Sequence, residues 1–325
     1  MKLLMQLING LQLGSIYALV ALGYTMVYGI VKLINFAHGD IMMVGAYMAI
    51  TATTGLIAAG LPLWLCILFA VLCCAVFGML IERIAYRPLR ESHFNSAILK
   101  KFTDFLMRHT KYRPKERKSG RISALITAIG VSLFLQNLFM IIFSPNPKPF
   151  PNIFNVGDWE ISFGESVVKI PFITWFTILI TVLLMIGLQA FIKNARTGKA
   201  MRAVSEDPGA ASLMGINVNR TISITFALGS ALAAMAAVLY VSAYPRVDPY
   251  MGSLLGLKAF VAAVLGGIGV IPGAMLGGFL LGIIEVLTKG YISSQLSDAV
   301  VFGILILVLL VKPSGILGKN VREKV

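Results

Sequence analysis

The stretch Leu61-Pro-Leu-Trp-Leu-Cys-Ile-Leu-Phe-Ala-Val-Leu-Cys-Cys-Ala-Val-Phe-Gly-Met-Leu-Ile81 has no charged residue and is long enough to cross a lipid bilayer as one helix. The chain is 58% hydrophobic and 13% charged, with a mean hydropathy of +0.85, and a soluble core does not need so much apolar surface. We therefore predict an all-α, polytopic membrane protein that forms a single domain over 1–325, with about eight to ten transmembrane helices. The other apolar runs cover about 3–31, 36–55, 122–143, 171–192, 221–243, 255–270, 273–288 and 297–312.

Glycine residues interrupt some of these apolar runs. The first run contains Gly10 and Gly14, and the two runs after residue 255 are rich in glycine throughout. A broken helix or a re-entrant hairpin is therefore an open alternative to a continuous span at both places. Glycine pairs four positions apart, such as Gly10/Gly14 and Gly278/Gly282, let membrane helices approach closely, so we expect tight helix packing there.

The positive charge of the chain, +14 in total, lies in three segments. Segment 82–121 has twelve basic and four acidic residues, 193–220 has five and two, and the tail from Lys312 has four and one. Because basic loops stay on the cytoplasmic side, we expect a multi-pass protein of the cytoplasmic (inner) membrane with a cytoplasmic C-terminus. Short basic segments between apolar runs do not form the basic face of a nucleic-acid binder, so we predict no nucleic-acid partner.

The segment 144–171 carries a net charge of −1 and is predicted to be an extracytoplasmic loop. It begins with alternating prolines that cannot be helical. Further on, Trp159–Phe163 alternates in polarity, a Gly-Glu pair can turn, and Val167–Ile170 can pair back as a short hairpin. The loop is either a plain connector or a docking surface for a soluble partner.

Polar residues inside apolar runs are costly in lipid and are our candidates for a translocation pathway. Glu285 lies deepest in its run, and it can serve a proton pathway, bond to a break in the backbone or line a cavity. The turn from Asn35 to Asp40 is either a helix cap or part of a pathway. The candidates are Asn35, His38, Asp40, Gln136, Asn137, Gly267, Gly269 and Glu285.

The sequence patterns of nucleotide and metal enzymes are missing. The string Gly267-Ile-Gly269-Val-Ile-Pro-Gly273 resembles a dinucleotide motif, but its last spacing is wrong and a proline stands where the helix should begin. We interpret it as a helix break that faces a cavity. With no P-loop and no HExxH pattern, we predict no cofactor, no metal and no enzymatic activity.

The cytoplasmic loop 193–220 contains a short helix of small residues. Pro208 favours the first turn of a helix, and Gly215 can end it. Such a helix either seats in a groove of a soluble partner or simply connects two spans at the membrane surface.

Several motifs of this chain resemble the LivH-type permease subunits of branched-chain amino-acid ABC importers. The resemblance runs in order over nearly the whole chain, and related permeases for urea and short amides share much of it. The motifs are Gly14-Ser-Ile-Tyr-Ala-Leu19, Thr25-Met-Val-Tyr-Gly-Ile30, Ile34-Asn-Phe-Ala-His-Gly-Asp40, Glu82-Arg-Ile-Ala-Tyr-Arg-Pro88 and Ala263-Val-Leu-Gly-Gly-Ile-Gly269.

The resemblance implies four kinds of partner besides membrane lipid: a LivM-type second permease, two ATPases of the LivG and LivF types, and a soluble substrate-binding protein. It also implies that the loop 193–220 couples the permease to the ATPases. The residues that match this coupling pattern or adjoin it are Glu206, Asp207, Ala210, Ala211, Gly215 and Ile216. A proton-coupled carrier that uses Glu285 or Asp40 is the alternative from another class.

The segment 91–120 is a basic insert relative to the short connection that the resemblance implies. Hydrophobic residues from Phe94 to Leu106 fall on one helical face, with basic residues mostly opposite. We expect an amphipathic helix on the inner leaflet, followed by a flexible run.

Overall fold

The computed structural model describes residues 2–32, 34–56, 60, 62–90, 121–154, 157–163 and 166–318. The predicted insert 91–120 lies outside them. The helices are α1 (Lys2–Val31), α2 (His38–Leu56), α3 (Leu63–Ile81), α4 (Arg87–Arg90), α5 (Arg121–Phe143), α6 (Phe172–Asn194), α7 (Arg196–Glu206), α8 (Pro208–Leu213), α9 (Val218–Ala243), α10 (Met251–Gly266), α11 (Ile271–Tyr291) and α12 (Ser297–Val311), and a π-helical turn (Glu82–Tyr86) joins α3 to α4.

This architecture confirms the prediction of a polytopic helical membrane protein. Within the described residues, six helices are long and apolar enough to cross a bilayer: α1, α3 with its extension to Leu89, α5, α6, α9 and α11. Two shorter apolar helices, α10 and α12, accompany them. Helix α2, with 19 residues, is the remaining long element and lies against α3, α9 and α10.

The first apolar run is one continuous helix despite its two glycines. Gly10 and Gly14 lie inside α1, where the backbone of α11 approaches too closely for a side chain. A Cβ atom at Gly14 would lie 2.8 Å from the carbonyl oxygen of Gly278, and one at Gly282 would lie 2.2 Å from the Gly14 nitrogen. The predicted tight packing is confirmed at this crossing, because contact between the backbones requires glycine on both helices.

The glycine-rich runs near the C-terminus form two helices joined by a tight turn. Gly267 and Gly269 in this turn have φ angles of +106° and +95°, which glycine adopts without strain. The segment after α12 folds onto the turn, where the Ile316 N–H donates to the Leu265 carbonyl at 2.8 Å and the Leu317 N–H to the Gly266 carbonyl at 3.1 Å. These bonds satisfy carbonyls that the end of α10 would otherwise leave free.

The helices give the molecule two distinct ends. At one, here called the coupling end, Gly29 of α1, Met201 of α7 and Gly269 line one small cavity, and the C-terminal segment lies against the same turn. At the other, here called the hairpin end, strands β1 (Lys148–Pro149) and β4 (Arg246–Val247) pair antiparallel. The loops 193–205 and 312–318 therefore lie at the opposite end from 144–171.

The predicted hairpin within 144–171 is confirmed. Strand β2 (Trp159–Phe163) pairs antiparallel with β3 (Ser166–Ile170), and Glu160 lies opposite Lys169. Their side chains form an ion pair at 2.7 Å, and this bond raises the pKa of Lys169 above its usual value. The Trp159 ring stacks on Trp175 of α6 with 5.3 Å between ring centres, which fastens the hairpin to the helices.

Candidate functional site

The loop 193–220 forms two short helices joined by a capping residue. Asp207 ends α7 and begins α8, and its carboxylate accepts hydrogen bonds from the backbone N–H groups of Gly209 (2.8 Å) and Ala210 (3.1 Å). Pro208 fills the first turn, where its missing N–H costs nothing. After α8, Gly215 has a φ of +81°, and this conformation reverses the chain toward α9.

The tip of this loop presents an apolar surface. Leu213 and Met214 are 91% and 83% exposed, at the end of a helix that lies beyond the membrane spans. Among the predicted coupling residues, Ala211 is 4% exposed and packs within the chain. The remaining ones are exposed or, for Ile216, half-buried: Glu206, Asp207, Ala210, Gly215 and Ile216.

The two apolar tip residues were not among the sequence-predicted contacts. Leu213 and Met214 stand inside the segment that the resemblance marked, but the matching pattern directed attention to acidic and small residues. Apolar side chains at the end of a short helix in a basic, polar loop are the signal that would have found them, because water does not favour them there.

Two of the pathway candidates form one buried polar cluster. The Gln136 side chain on α5 donates to the Asp40 carboxylate at 2.9 Å and lies 2.8 Å from the Ser253 hydroxyl of α10. Both candidates are buried while Ser253 is exposed, so this cluster ties α2, α5 and α10 together from the interior to the surface of the chain. Ser253 had not been predicted from the sequence.

Asn35 organises the turn before α2. Its side-chain oxygen accepts the N–H of Ala37 at 3.1 Å and the Tyr86 hydroxyl at 2.7 Å, while its backbone carbonyl accepts the His38 N–H at 3.1 Å. These bonds favour the capping interpretation for Asn35. Asp40 lies within the first turn of α2, and its carboxylate is bound by Gln136 instead.

His38 lies in a tightly packed and mostly apolar setting. It is buried, its ring lies edge-on to that of Tyr24 with 4.8 Å between centres, and among the described residues its Nε2 atom has no hydrogen-bond partner. The close approach of His38 to α1 depends on Gly23, since a Cβ there would lie 2.2 Å from Nε2. The candidates between residues 35 and 40 therefore face the interior of the chain in this conformation.

Three other candidates, Asn137, Gly267 and Gly269, do not take part in the hydrogen bonds between Asp40, Gln136 and Ser253. Asn137 is exposed on the outward face of α5, and its amide donates to the Leu133 carbonyl at 2.7 Å. The two glycines shape the turn at the coupling end. The pathway candidates thus divide into separate places in the fold and do not form a single site.

Glu285 belongs to a buried ionic network. It is 1% exposed and accepts hydrogen bonds from the side chains of Lys258 (2.7 Å), Lys289 (2.6 Å) and Tyr17 (2.7 Å). Lys258, also buried, pairs with Asp298 at 2.6 Å. The network connects α1, α10, α11 and α12.

This network changes the interpretation of Glu285. Of the roles considered from the sequence, a structural one is favoured, but the partners of the carboxylate are side chains and not a break in the backbone. Lys258 and Tyr17 lie on other helices, and Lys289 lies one turn later on α11. Lys258 was missed as a partner. Its position as a lysine inside an apolar run was the signal, because a buried cation requires a buried anion.

Comparison with known proteins shows the family. The model of the branched-chain amino acid transport system permease component matches residues 6–309. The chain is 43% identical to the high-affinity branched-chain amino acid transport system permease protein LivH of Escherichia coli K12, over 99% of this chain and 97% of that protein. It is 46% identical to BraD of Pseudomonas aeruginosa, described by the same words, over 99% and 98%.

More distant permeases also match. The chain is 26% identical to the fructose import permease protein FruG of Bifidobacterium longum, over 89% of this chain and 78% of that protein. No solved structure matches the chain. The relatives are transport permeases and not enzymes, as the sequence predicted. The chain belongs to the family of permease components of branched-chain amino acid transport systems.

Proposed function

We propose that this chain is the membrane-spanning permease subunit of an ATP-binding-cassette importer that carries branched-chain amino acids across the cytoplasmic membrane. The observation that supports this most is the identity of 43% to LivH and 46% to BraD along 99% of the chain. The polytopic helical fold and the exposed apolar tip at Leu213 and Met214 agree with it.

The proposed orientation follows from the charges at the two ends. The coupling end holds two of the three basic segments, and the hairpin end holds the acidic loop 144–171. The positive-inside rule then makes the coupling end and the C-terminus cytoplasmic. Helices α1–α3, α5, α6 and α9–α12 amount to nine apolar helices within the described residues, so the N-terminus of α1 falls on the outside.

The proposed partners fit the two ends. Two ATPases of the LivG and LivF types bind at the cytoplasmic loop, with Leu213 and Met214 seated in a groove of one of them. A LivM-type permease completes the membrane part, and a soluble binding protein delivers the amino acid at the hairpin end. Exposed apolar side chains on a capped, rigid helix suit such a groove, because docking buries them at little entropic cost.

The proposed mechanism is alternating access between this chain and the second permease. The exposed Asn137 faces outward from α5, where a pathway shared with a second chain can run. Asp40 and Gln136 reach such a pathway only if α2, α5 and α10 move apart, since they are bonded to each other inside the chain. Glu285 supports the helices instead of contacting the cargo.

The test is uptake by the reconstituted complex. Proteoliposomes that contain this chain, its second permease and the two ATPases, supplied with the binding protein, are expected to accumulate leucine, isoleucine and valine only when ATP is present on the ATPase side. Preferred uptake of urea or acetamide would assign the amide class of substrate. Uptake that needs no ATP and follows a proton gradient would refute the importer and favour a carrier.

A further inference from the structure

A small cavity at the coupling end has no role in the mechanism above. Its volume is about 110 Å³, and it lies between the end of α1, the end of α6, one face of α7 and the turn that precedes α11. Aliphatic and thioether side chains form most of its wall: Met26, Ile30, Ile192, Met201 and Ile271. An apolar space of this size is comparable to the cavity of about 150 Å³ that binds benzene in an engineered protein.

Polar residues also line this cavity, and one of them is a buried threonine. Thr25 lines the cavity, is 1% exposed, and its hydroxyl has no hydrogen-bond partner within the part of the chain that the structure describes. A buried hydroxyl without a partner is costly, so it marks a place where a polar ligand atom would be stabilised. In a helix such a hydroxyl ordinarily bonds to a carbonyl one turn earlier, as Ser15 does to Leu11.

Arg202, which is exposed, also lines the cavity and brings a charged group to it. One of its guanidinium nitrogens donates to the Lys193 carbonyl at 3.2 Å, and a guanidinium has five N–H donors, so most of them have no partner among the described residues and are open to a ligand. Ser205, one turn further along α7, donates to the Arg202 carbonyl at 2.7 Å and keeps its lone pairs for a donor. Arginine and two hydroxyl oxygens provide one place for a carboxylate and another for an ammonium group.

We propose that this cavity binds a short aliphatic α-amino acid from the cytoplasmic side. The carboxylate pairs with Arg202, the ammonium group donates to the hydroxyls of Ser205 and Thr25, and the branched side chain occupies the apolar space. The identity of the ligand rests on the proposed function, since the cargo of that importer has this chemistry. The cytoplasmic amino acid is then both the product of transport and a ligand of the permease.

Binding there has a mechanical consequence. Helix α7 supplies Met201, Arg202 and Ser205 to the cavity and continues through Asp207 into the proposed coupling helix α8. A ligand that bridges α7 and α1 stabilises the conformation in which they are packed together. It therefore slows any transport cycle in which α7 moves relative to α1, by the amount that its affinity differs between the two conformations. We expect accumulated amino acid to lower the uptake rate.

The first experiment measures binding of radiolabelled leucine to the purified complex of permeases and ATPases, without binding protein. Gly29 lines the cavity, and a Cβ atom there would have Gly269 Cα as its nearest neighbour at 3.8 Å, so Gly29→Leu fills the space without a backbone clash. We expect Gly29→Leu to abolish binding and Arg202→Gln to weaken it by about tenfold or more, because a hydrogen bond to a charged group contributes on that scale.

The matched control is Gly187→Leu, on an outward face of α6 where a Cβ atom would meet nothing within 4 Å. This variant is expected to bind leucine as the wild type does. Gly29→Ala, a smaller change at the same place, serves if Gly29→Leu does not assemble, and it is expected to weaken binding without abolishing it. Equal binding by the wild type and both Gly29 variants, or none by the wild type, would overturn the proposal.

The second experiment separates this site from the proposed function itself. Proteoliposomes preloaded with unlabelled leucine are expected to take up labelled leucine more slowly when made with wild type or Gly187→Leu, and at the unloaded rate when made with Gly29→Leu. Normal uptake that internal leucine does not slow in any variant would refute the regulatory site and leave the importer standing. Failure of the wild type to take up leucine at all would refute the importer. The binding experiment would still test whether the cavity binds leucine.

Discussion

Removing one member of the buried ionic network should destabilise the helices that it joins. Glu285→Leu takes away the acceptor of three side-chain bonds and leaves the buried Lys258 with Asp298 as its anionic partner. Breaking a buried ion pair costs about 3–5 kcal/mol when the remaining charge is left unpaired, and since Asp298 still pairs with Lys258 we expect a loss near the lower end of that range. Lys258→Met should cost a similar amount, because the buried Glu285 then keeps only the half-exposed Lys289 as a cation.

The double variant Lys258→Met/Glu285→Leu should be more stable than either single one. It leaves no uncompensated buried charge, since Lys289 and Asp298 reach solvent at 42% and 45% exposure. The remaining cost is the Tyr17 hydroxyl, which loses its acceptor and costs about 1–3 kcal/mol. Glu285→Gln should fall between wild type and Glu285→Leu in stability and keep transport.

The measurement is the free energy of unfolding in mixed micelles, by titration with dodecyl sulfate, alongside uptake in proteoliposomes. A double variant that loses the sum of the two single losses would refute the network as a coupled unit, since contacting residues are expected to deviate from additivity by about 0.5–3 kcal/mol. Loss of transport in Glu285→Gln without loss of stability would instead assign Glu285 a role that depends on its charge.

Three further predictions test the coupling loop, the insert and the helix packing. Met214→Glu should leave the fold intact, because the side chain is 83% exposed, but should weaken co-purification of the ATPases and lower uptake; Thr197→Glu, exposed on α7 and outside the coupling helix, is the control. Deleting 93–117 should spare assembly and transport but reduce the dependence of uptake on anionic lipid, an effect that high salt should reproduce. Gly282→Leu should prevent stable folding, seen as aggregation on gel filtration, because its Cβ would lie 2.2 Å from the Gly14 nitrogen; Gly303→Leu, with open space around it, should not.

The membrane helices could be predicted from the sequence because the length and the apolar composition of each run can be read directly from its residues. The continuity of α1 could not. Gly10 and Gly14 look like breaks in the sequence, and a glycine inside a helix costs about 1 kcal/mol relative to alanine. The close approach of α11 offsets that cost, and this contact joins residues more than 260 positions apart, as between Gly14 and Gly278.

For the candidate residues too, burial could be predicted from the sequence but the bonding partners could not. That Asp40, Gln136 and Glu285 would be buried followed from their places in apolar runs. Their partners did not, because Gln136 and Asp40 are 96 residues apart and Lys258 and Glu285 are 27 apart, on different helices. Hydrophobic periodicity contains no information about which helices are neighbours. A buried lysine and a buried glutamate in one short stretch of chain were the strongest available indication of a pair.

The position of α1 gives the coupling that we propose for the loop 193–220 a route into the membrane core. Helix α7 is buried at Met201 and Val204 and packs on the end of α1, while α8 carries Leu213 and Met214 outward on the same rigid loop. Helix α1 in turn is enclosed by α6, α9, α10 and α11. Since close-packed interiors transmit displacement with little compression, a displacement of the loop tip passes through α7 to the helices that α7 contacts, which are α1, α6 and α9. The cavity between α7 and α1 lies at this junction, so the proposed ligand would contact both helices.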